Sequence, residues 1–310
     1  VKTSAPGEVT APPRNPRPVP AATPKTWTLL ALTALAPVSW GTTYAVTSEF
    51  LPAERPLLSG AIRALPAGLA VLLVTRTLPR GGWWWRATVL GTLNIGAFFA
   101  LLFAAAYRLP GGVAATLGAV QPLVVAALAL AVLKERPTAW RIGWGLAGAA
   151  GVALMVLRGH FAFDAVGVAA GLGGTATMAT GIVLTKRWGR PVGLLPFTGW
   201  QLTAGGLFLA PLALLVEGPP PALDARAVGG YAWLGIVGTL VAYVLWFRGL
   251  ERLPVAAASF LPLLSPAVAT VLGWLALGES LTAVQSLGFA LALASIAAAQ
   301  FSPSRPLHRN

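Results

Sequence analysis

Apolar stretches long enough to cross a bilayer recur ten times along this chain, and that recurrence restricts its fold more than any other feature. They run near Trp27–Val46, Leu57–Val74, Thr88–Tyr107, Val113–Leu133, Ala139–Leu157, Val166–Thr185, Leu195–Val216, Tyr231–Phe247, Val255–Leu277 and Thr282–Gln300. About 20 apolar residues span the hydrocarbon core as a helix. Strands of a membrane barrel alternate apolar and polar residues. These runs are apolar on every side, so their backbone must satisfy itself as α-helix. At 56% hydrophobic and 10% charged, the 310 residues carry more apolar surface than a soluble globule buries. That composition excludes a soluble enzyme, a disordered protein and a coiled coil. The expected fold class is an all-α membrane protein with ten transmembrane helices.

The charges then act as an address. The chain has 22 Lys and Arg against 9 Asp and Glu, a net charge of +13. In a soluble protein that excess would suggest nucleic acid. With the N-terminus inside, seventeen of the 22 basic residues fall on cytoplasmic segments. Only Arg55, Arg108, Arg158 and Arg226 fall outside, and Arg63 lies within a span. By the positive-inside rule both termini are cytoplasmic. This predicts a multi-pass protein of the plasma (inner) membrane with no nucleic-acid partner. Residues 1–26 are read as a disordered cytoplasmic tail, rich in Pro, Ala, Thr and Arg and lacking a signal-peptide core. Residues 301–310 are read as a second cytoplasmic tail.

Catalytic side chains are scarce. There is no Cys, and His160 and His308 both fall outside the apolar runs. None of the nine acids sits in the middle of a run. Thiolate, triad and paired-carboxylate chemistry at membrane depth therefore lack their residues. The chain is read as a non-enzyme without a cofactor.

An internal duplication organises the spans. Arg108-Leu109-Pro110 recurs as Arg252-Leu253-Pro254, an offset of 144 that also carries Leu90-Gly91 to Leu234-Gly235, Pro122 to Pro266 and Glu135 to Glu279. Upstream, an offset of 138 places Arg63 on Gln201 and Gly68-Leu69 on Gly206-Leu207. The expected domains are two five-helix repeats, 27–157 and 164–300. Five is odd, so the second repeat enters the membrane inverted. Inverted repeats are a signature of secondary transporters, because one structure in two orientations supplies inward- and outward-open states of similar energy.

In these features the chain resembles the EamA-type carriers of the drug/metabolite transporter superfamily. The resemblance rests on Trp40-Gly41-Thr42-Thr43 in the first span, Arg63 in the second, Pro122 with Glu135, Pro266 with Glu279, and a glycine-rich helix after each Glu. It implies a ten-helix carrier of small metabolites, often amino acids and often outward. It also implies a central cavity lined by the first four helices of each repeat.

Arg63 is the foremost candidate, since a charge within a span costs roughly 2.5–3.5 kcal/mol on insertion scales. Its guanidinium suits a carboxylate or phosphate, although a structural Arg bonded to helix-end carbonyls, or paired with Glu49 or Glu54, explains it as well. Trp40, Thr43, Asn94, Gln121, Gln201, Tyr243 and Ser265 are the other candidate substrate-binding residues. Pro122 and Pro266 are candidate hinges, each removing a hydrogen bond in mid-helix. Glu135 and Glu279 lie at span ends and read as caps or ion-pair partners. Trp83-Trp84-Trp85 reads as an interfacial anchor. Gly143-Trp144-Gly145-Leu146-Ala147-Gly148 matches a dinucleotide fingerprint but lies inside an apolar helix, so its glycines read as a packing surface.

The function expected is export of an amino acid or related metabolite by alternating access. The expected partners are a small-molecule substrate and the lipid bilayer, with protons a candidate coupling ion and the oligomeric state open. Two other classes stay open: a membrane enzyme acting on lipid-linked substrates, and a non-transporting scaffold.

Overall fold

The computed structural model describes residues 24–52, 55–108, 117–156, 164–277 and 282–301, and every regular element among them is helical. The first helix, α1, runs Pro24–Gly41 and, after a break at Thr42, Thr43–Phe50. Helix α2 is Pro56–Thr75. In α3, Trp83–Gly91 passes through a π-helical segment, Thr92–Gly96, into Ala97–Arg108. Next come α4 (Leu117–Leu133), α5 (Ala139–Val156), α6 (Ala165–Trp188) and α7 (Leu194–Glu217). In α8, Ala225–Gly235 passes through the π-helical Ile236–Val241 into Ala242–Arg252. Broken α9 comprises Val255–Ala258, a 3-10 turn at Leu261–Leu263, and Leu264–Leu277; α10 is Ala283–Gln300. Seven stretches, in α1, α2, α3, α6, α7, α8 and α10, are long and apolar enough to cross a membrane, and α4 is a shorter apolar helix. Glu54, His160, Glu279, His308 and most of both tails lie outside the described residues.

The scarce acids start helices. Asp164 Oδ1 accepts from Gly167 N at 2.7 Å to begin α6, and Asp224 Oδ1 accepts from Ala227 N at 2.7 Å to begin α8. Helix α2 is begun from a distance: the Glu217 carboxylate, at the end of α7, accepts from Leu57 N at 2.6 Å and Leu58 N at 2.9 Å. Each pairing satisfies amides that a helix start leaves free and sets negative charge against the positive end of the helix dipole. We call this the Glu217 end of the bundle. At the opposite, Lys186 end, the Lys186 ammonium donates to the carbonyls of Leu250, Glu251 and Leu253 at 3.0–3.1 Å. Arg190 pairs there with Glu251 at 3.1 Å.

The broadest packing joins α2 to α7 and α5 to α10. Close approach needs missing side chains. A Cβ on Gly68 would lie 2.5 Å from Thr203 N, and one on Gly206 2.6 Å from Leu65 Cβ. Gly148 and Gly151 meet α10 in the same way, as expected of a packing surface, while Gly145 meets Leu123 of α4. Helix α3 packs on α6, and α1 packs on α8 and α9.

The prolines differ from expectation. Helix α4 loosens at Val120, and Pro122 is the second residue of the helix that restarts at Gln121. Pro266 lies in the first turn of Leu264–Leu277, below the break in α9. First-turn amides have no intrahelical acceptor, so a proline there removes no bond. In both helices the irregularity lies just before the proline. The tryptophan run also divides: Trp84 and Trp85 are exposed, while Trp83 packs on Phe197 and Trp200.

Candidate functional site

A cavity of about 340 Å³ lies toward the Glu217 end, among α1, α3, α4, α6, α8 and α9, with Arg63 entering from α2. Six of the eight residues singled out from sequence stand on its wall: Trp40, Thr43, Arg63, Gln121, Tyr243 and Ser265. Pro266 does too, whereas Pro122 does not.

Arg63 is 3% exposed. Its Nε donates to Thr239 Oγ1 at 2.8 Å and its Nη2 to the Gly238 carbonyl at 3.0 Å. The Phe99 ring centroid lies 4.6 Å from its Cζ. Among the described residues no carboxylate pairs with it and Nη1 meets no acceptor. Of the acids expected beside it, Glu49 pairs with Arg226 at 3.5 Å and Glu54 lies outside the described residues, while Glu217 is engaged on the start of α2. A positive charge is thus held in a buried wall with its contacts supplied by dipoles and an aromatic face. Gln121, 6% exposed, adds a second donor, since its Nε2 has no partner.

The π-helical segment of α8 makes Arg63's anchorage possible. A π-turn inserts a residue and releases backbone carbonyls from the regular ladder. The Gly238 carbonyl accepts from both Arg63 and Trp40, whose Nε1 lies 3.1 Å away. Trp40 also meets Tyr243 and Trp246 at ring-centroid distances of 5.5 and 5.4 Å. Toward the Lys186 end the space is filled by Phe197, Trp246, Phe247, Leu250, Leu253 and Phe260, all buried.

Asn94 and Gln201 are not on the cavity wall. They bond each other, Asn94 Nδ2 to Gln201 Oε1 at 2.8 Å, and Asn94 Nδ2 also reaches Thr185 Oγ1 at 3.2 Å. Both are fully buried. Asn94 belongs to the π-helical segment of α3, and its carbonyl accepts from Tyr243 Oη at 3.1 Å. Sequence reasoning overlooked the apolar and small part of the wall: Phe98, Phe99, Phe103, Met178, and Gly171 and Gly174. Phe99 and Phe103, four residues apart on one helical face, were a usable signal. Thr239 was also overlooked, because a threonine in an apolar run ordinarily bonds its own helix, as Thr185 and Thr198 do here.

A model described as the EamA-like transporter family matches residues 26–157 and again 165–299. The chain belongs to this family. It is similar to protein PecM of Dickeya dadantii (strain 3937), with 46% identity over 82% of this chain and 86% of that protein. It is also similar to the uncharacterized transporter YwfM of Bacillus subtilis (strain 168), with 28% identity over 87% of this chain and 93% of that one. The uncharacterized transporter sll0355 of a Synechocystis strain is 30% identical over 86% of this chain and 88% of its own. A protein of known crystal structure shares the fold at a TM-score of 0.74 and 21% identity, over 88% of this chain and 96% of that one. Membership makes this a multi-pass membrane protein of a transporter family, as the resemblance implied.

Proposed function

We propose that this EamA-like protein is a secondary carrier exporting a small metabolite, an amino acid or a related compound, by alternating access. The observation that carries the reading is the wall itself: an arginine without a carboxylate partner among the described residues and the Gln121 side chain stand on the wall of one cavity. Two donors ask for an acceptor, and a carboxylate meets a guanidinium with charge-assisted bonds. The aromatic faces of Trp40, Tyr243 and Phe99 suit the ammonium or side chain of the same solute. Export is the direction the family resemblance implies.

Two inverted repeats, 27–157 and 164–300, supply the mechanism. Four features support them. The family model matches twice. The π-helical segments begin at Thr92 and Ile236, which keeps the offset of 144. The second helices of the two halves, α2 and α7, pack together, as do the last helices, α5 and α10. The packing of α3 on α6 mirrors that of α1 on α8. With both termini cytoplasmic, as the basic-residue bias requires, the cavity opens outward and the aromatic plug closes the cytoplasmic half. Protons stay a candidate coupling ion, although no carboxylate lines the cavity among the described residues.

Proteoliposome flux of labelled amino acids, comparing the native chain with Arg63→Gln, tests the proposal. Saturable flux that Arg63→Gln weakens about tenfold or more is the expected result, since a buried charged hydrogen bond contributes ~1.5–3 kcal/mol. Equal flux and affinity in the variant would overturn the role of Arg63.

A further inference from the structure

A second recess, of about 380 Å³, lies at the Lys186 end, well separated from the cavity. It is bounded by the α2–α3 connection and by residues of the α6–α7 turn and α7: Arg76, Arg80, Leu78, Trp83, Val192 and Trp200. Three side-chain bonds hold its frame. Trp200 Nε1 donates to the Thr77 carbonyl at 2.7 Å, Thr77 Oγ1 to the Thr75 carbonyl at 2.9 Å, and Arg190 Nη1 to the Val192 carbonyl at 2.6 Å. The recess is thus built by the fold.

Its charge is unanswered. Among the described residues neither Arg76 nor Arg80 forms an ion pair or donates a side-chain hydrogen bond, and the neighbouring Glu251 is engaged by Arg190 at 3.1 Å. Arg76 and Arg80 are both exposed and line the same recess, and the forked donors of a guanidinium match phosphate oxygens. An apolar surface adjoins them. Leu78, itself part of the lining, is 55% exposed, and Leu73 and Val74 on the last turn of α2 are 75% and 79% exposed. Trp84, beside the lining residue Trp83, is 55% exposed. A free phosphate has no use for that surface, whereas a phospholipid covers it with its acyl chains.

We propose that this recess is a binding site for the phosphate headgroup of an anionic phospholipid, with Arg76 and Arg80 holding the phosphate and the end of α2 contacting the chains. Under the orientation proposed above, the lipid belongs to the cytoplasmic leaflet, where anionic headgroups meet basic pockets between helices. The site stands independently of the transported solute.

Native mass spectrometry of the full-length protein, titrated with phosphatidylglycerol, phosphatidylcholine or inorganic phosphate, tests it. The comparison is between the native chain and the double variant Arg76→Asn with Arg80→Gln; Asn tolerates the positive φ of 48° at position 76. A control pair, Arg136→Gln with Arg252→Gln, removes equal charge elsewhere on the same face. The expected result is preferential phosphatidylglycerol binding that weakens about twenty-five-fold in the double variant, at about fivefold per basic residue, and is kept in the control. An unchanged melting temperature in phosphatidylcholine shows that the variant is folded. Equal loss in the control would overturn the site, as would a preference that survives in the double variant. Competition by inorganic phosphate as strong as by the lipid would overturn the lipid as occupant.

Discussion

Gly238 occupies in α8 the position that Asn94 occupies in α3, 144 residues earlier, and the backbone carbonyl of each is taken by side chains from elsewhere. The Asn94 carbonyl receives the Tyr243 hydroxyl, and the Gly238 carbonyl receives Arg63 and Trp40. Arg63 of α2 thus reaches Gly238 in the π-helical segment of α8, and Gln201 of α7 meets Asn94 in that of α3. In one direction the contact carries a charge and borders the cavity. In the other it is neutral and sealed.

Thr239 sets the aim of Arg63 through the 2.8 Å bond to Nε. Thr239→Val keeps the shape and deletes the acceptor. A cross-helix bond of this kind contributes about 0.6 kcal/mol, up to ~1.7, so KM for the solute should rise roughly threefold, and at most about eighteenfold, with little change in maximal flux. Proteoliposome kinetics measure this, and an unchanged KM would remove Thr239 from the site.

The Asn94–Gln201 bond should act on stability and not on recognition. Gln201→Leu leaves the Asn94 amide without its 2.8 Å acceptor in a fully buried place. Asn94 Nδ2 keeps only the longer bond to Thr185 Oγ1 at 3.2 Å, and a lost hydrogen bond of this kind costs about 0.5–1.5 kcal/mol. The melting temperature in detergent should fall by several degrees while KM in the surviving protein stays native. A raised KM with native stability would reverse this assignment.

Lys186 ties the end of α6 to the α8–α9 turn through three carbonyls. Lys186→Met should loosen the plugged half and favour its opening. Because the chain has no cysteine, a single Ser259→Cys reports directly, as Ser259 is fully buried in that half. A preference shift of ~1.4 kcal/mol corresponds to about tenfold faster thiol labelling. Labelling at the same rate with and without Lys186 would show that the clasp does not hold the plug.

Asp164 predicts a pH dependence. The Gly167 amide, more than the nearby Arg108 guanidinium, holds its carboxyl below the usual carboxylate range. A carboxylate depressed in the folded state contributes stability above its unfolded pKa, and that contribution is lost as pH falls through the folded value. Asp164→Asn should therefore melt below the native protein at pH 7, and the gap should narrow as the medium is taken below about pH 4. A gap that is constant down to pH 3 would mean that the charge contributes nothing.

The apolar runs made the helices legible, because a spanning helix must be apolar all round. Arg63 was legible for the opposite reason, as a cation well inside a run. The π-helical segments were not, since one inserted residue leaves hydropathy unchanged, although Leu90-Gly91 and Leu234-Gly235 stood just before them. Asn94 announced itself as a buried amide, but its partners lie 91 and 107 residues away. Nothing local distinguishes a cavity amide such as Gln121 from a sealed one such as Gln201. Pro122 and Pro266 were visible as helix disturbances, yet residue type alone does not say whether the break falls at the proline or just before it.

The carboxylate that starts α2 is delivered by Glu217, roughly 160 residues downstream and at the far end of α7. During synthesis α2 therefore emerges with its first amides unanswered and waits in that condition until α7 has been made. The start of α2 depends on a residue of α7. Severed within residues 157–163, the N-terminal piece should mature only when the C-terminal piece is supplied with it, which makes the whole chain the folding unit.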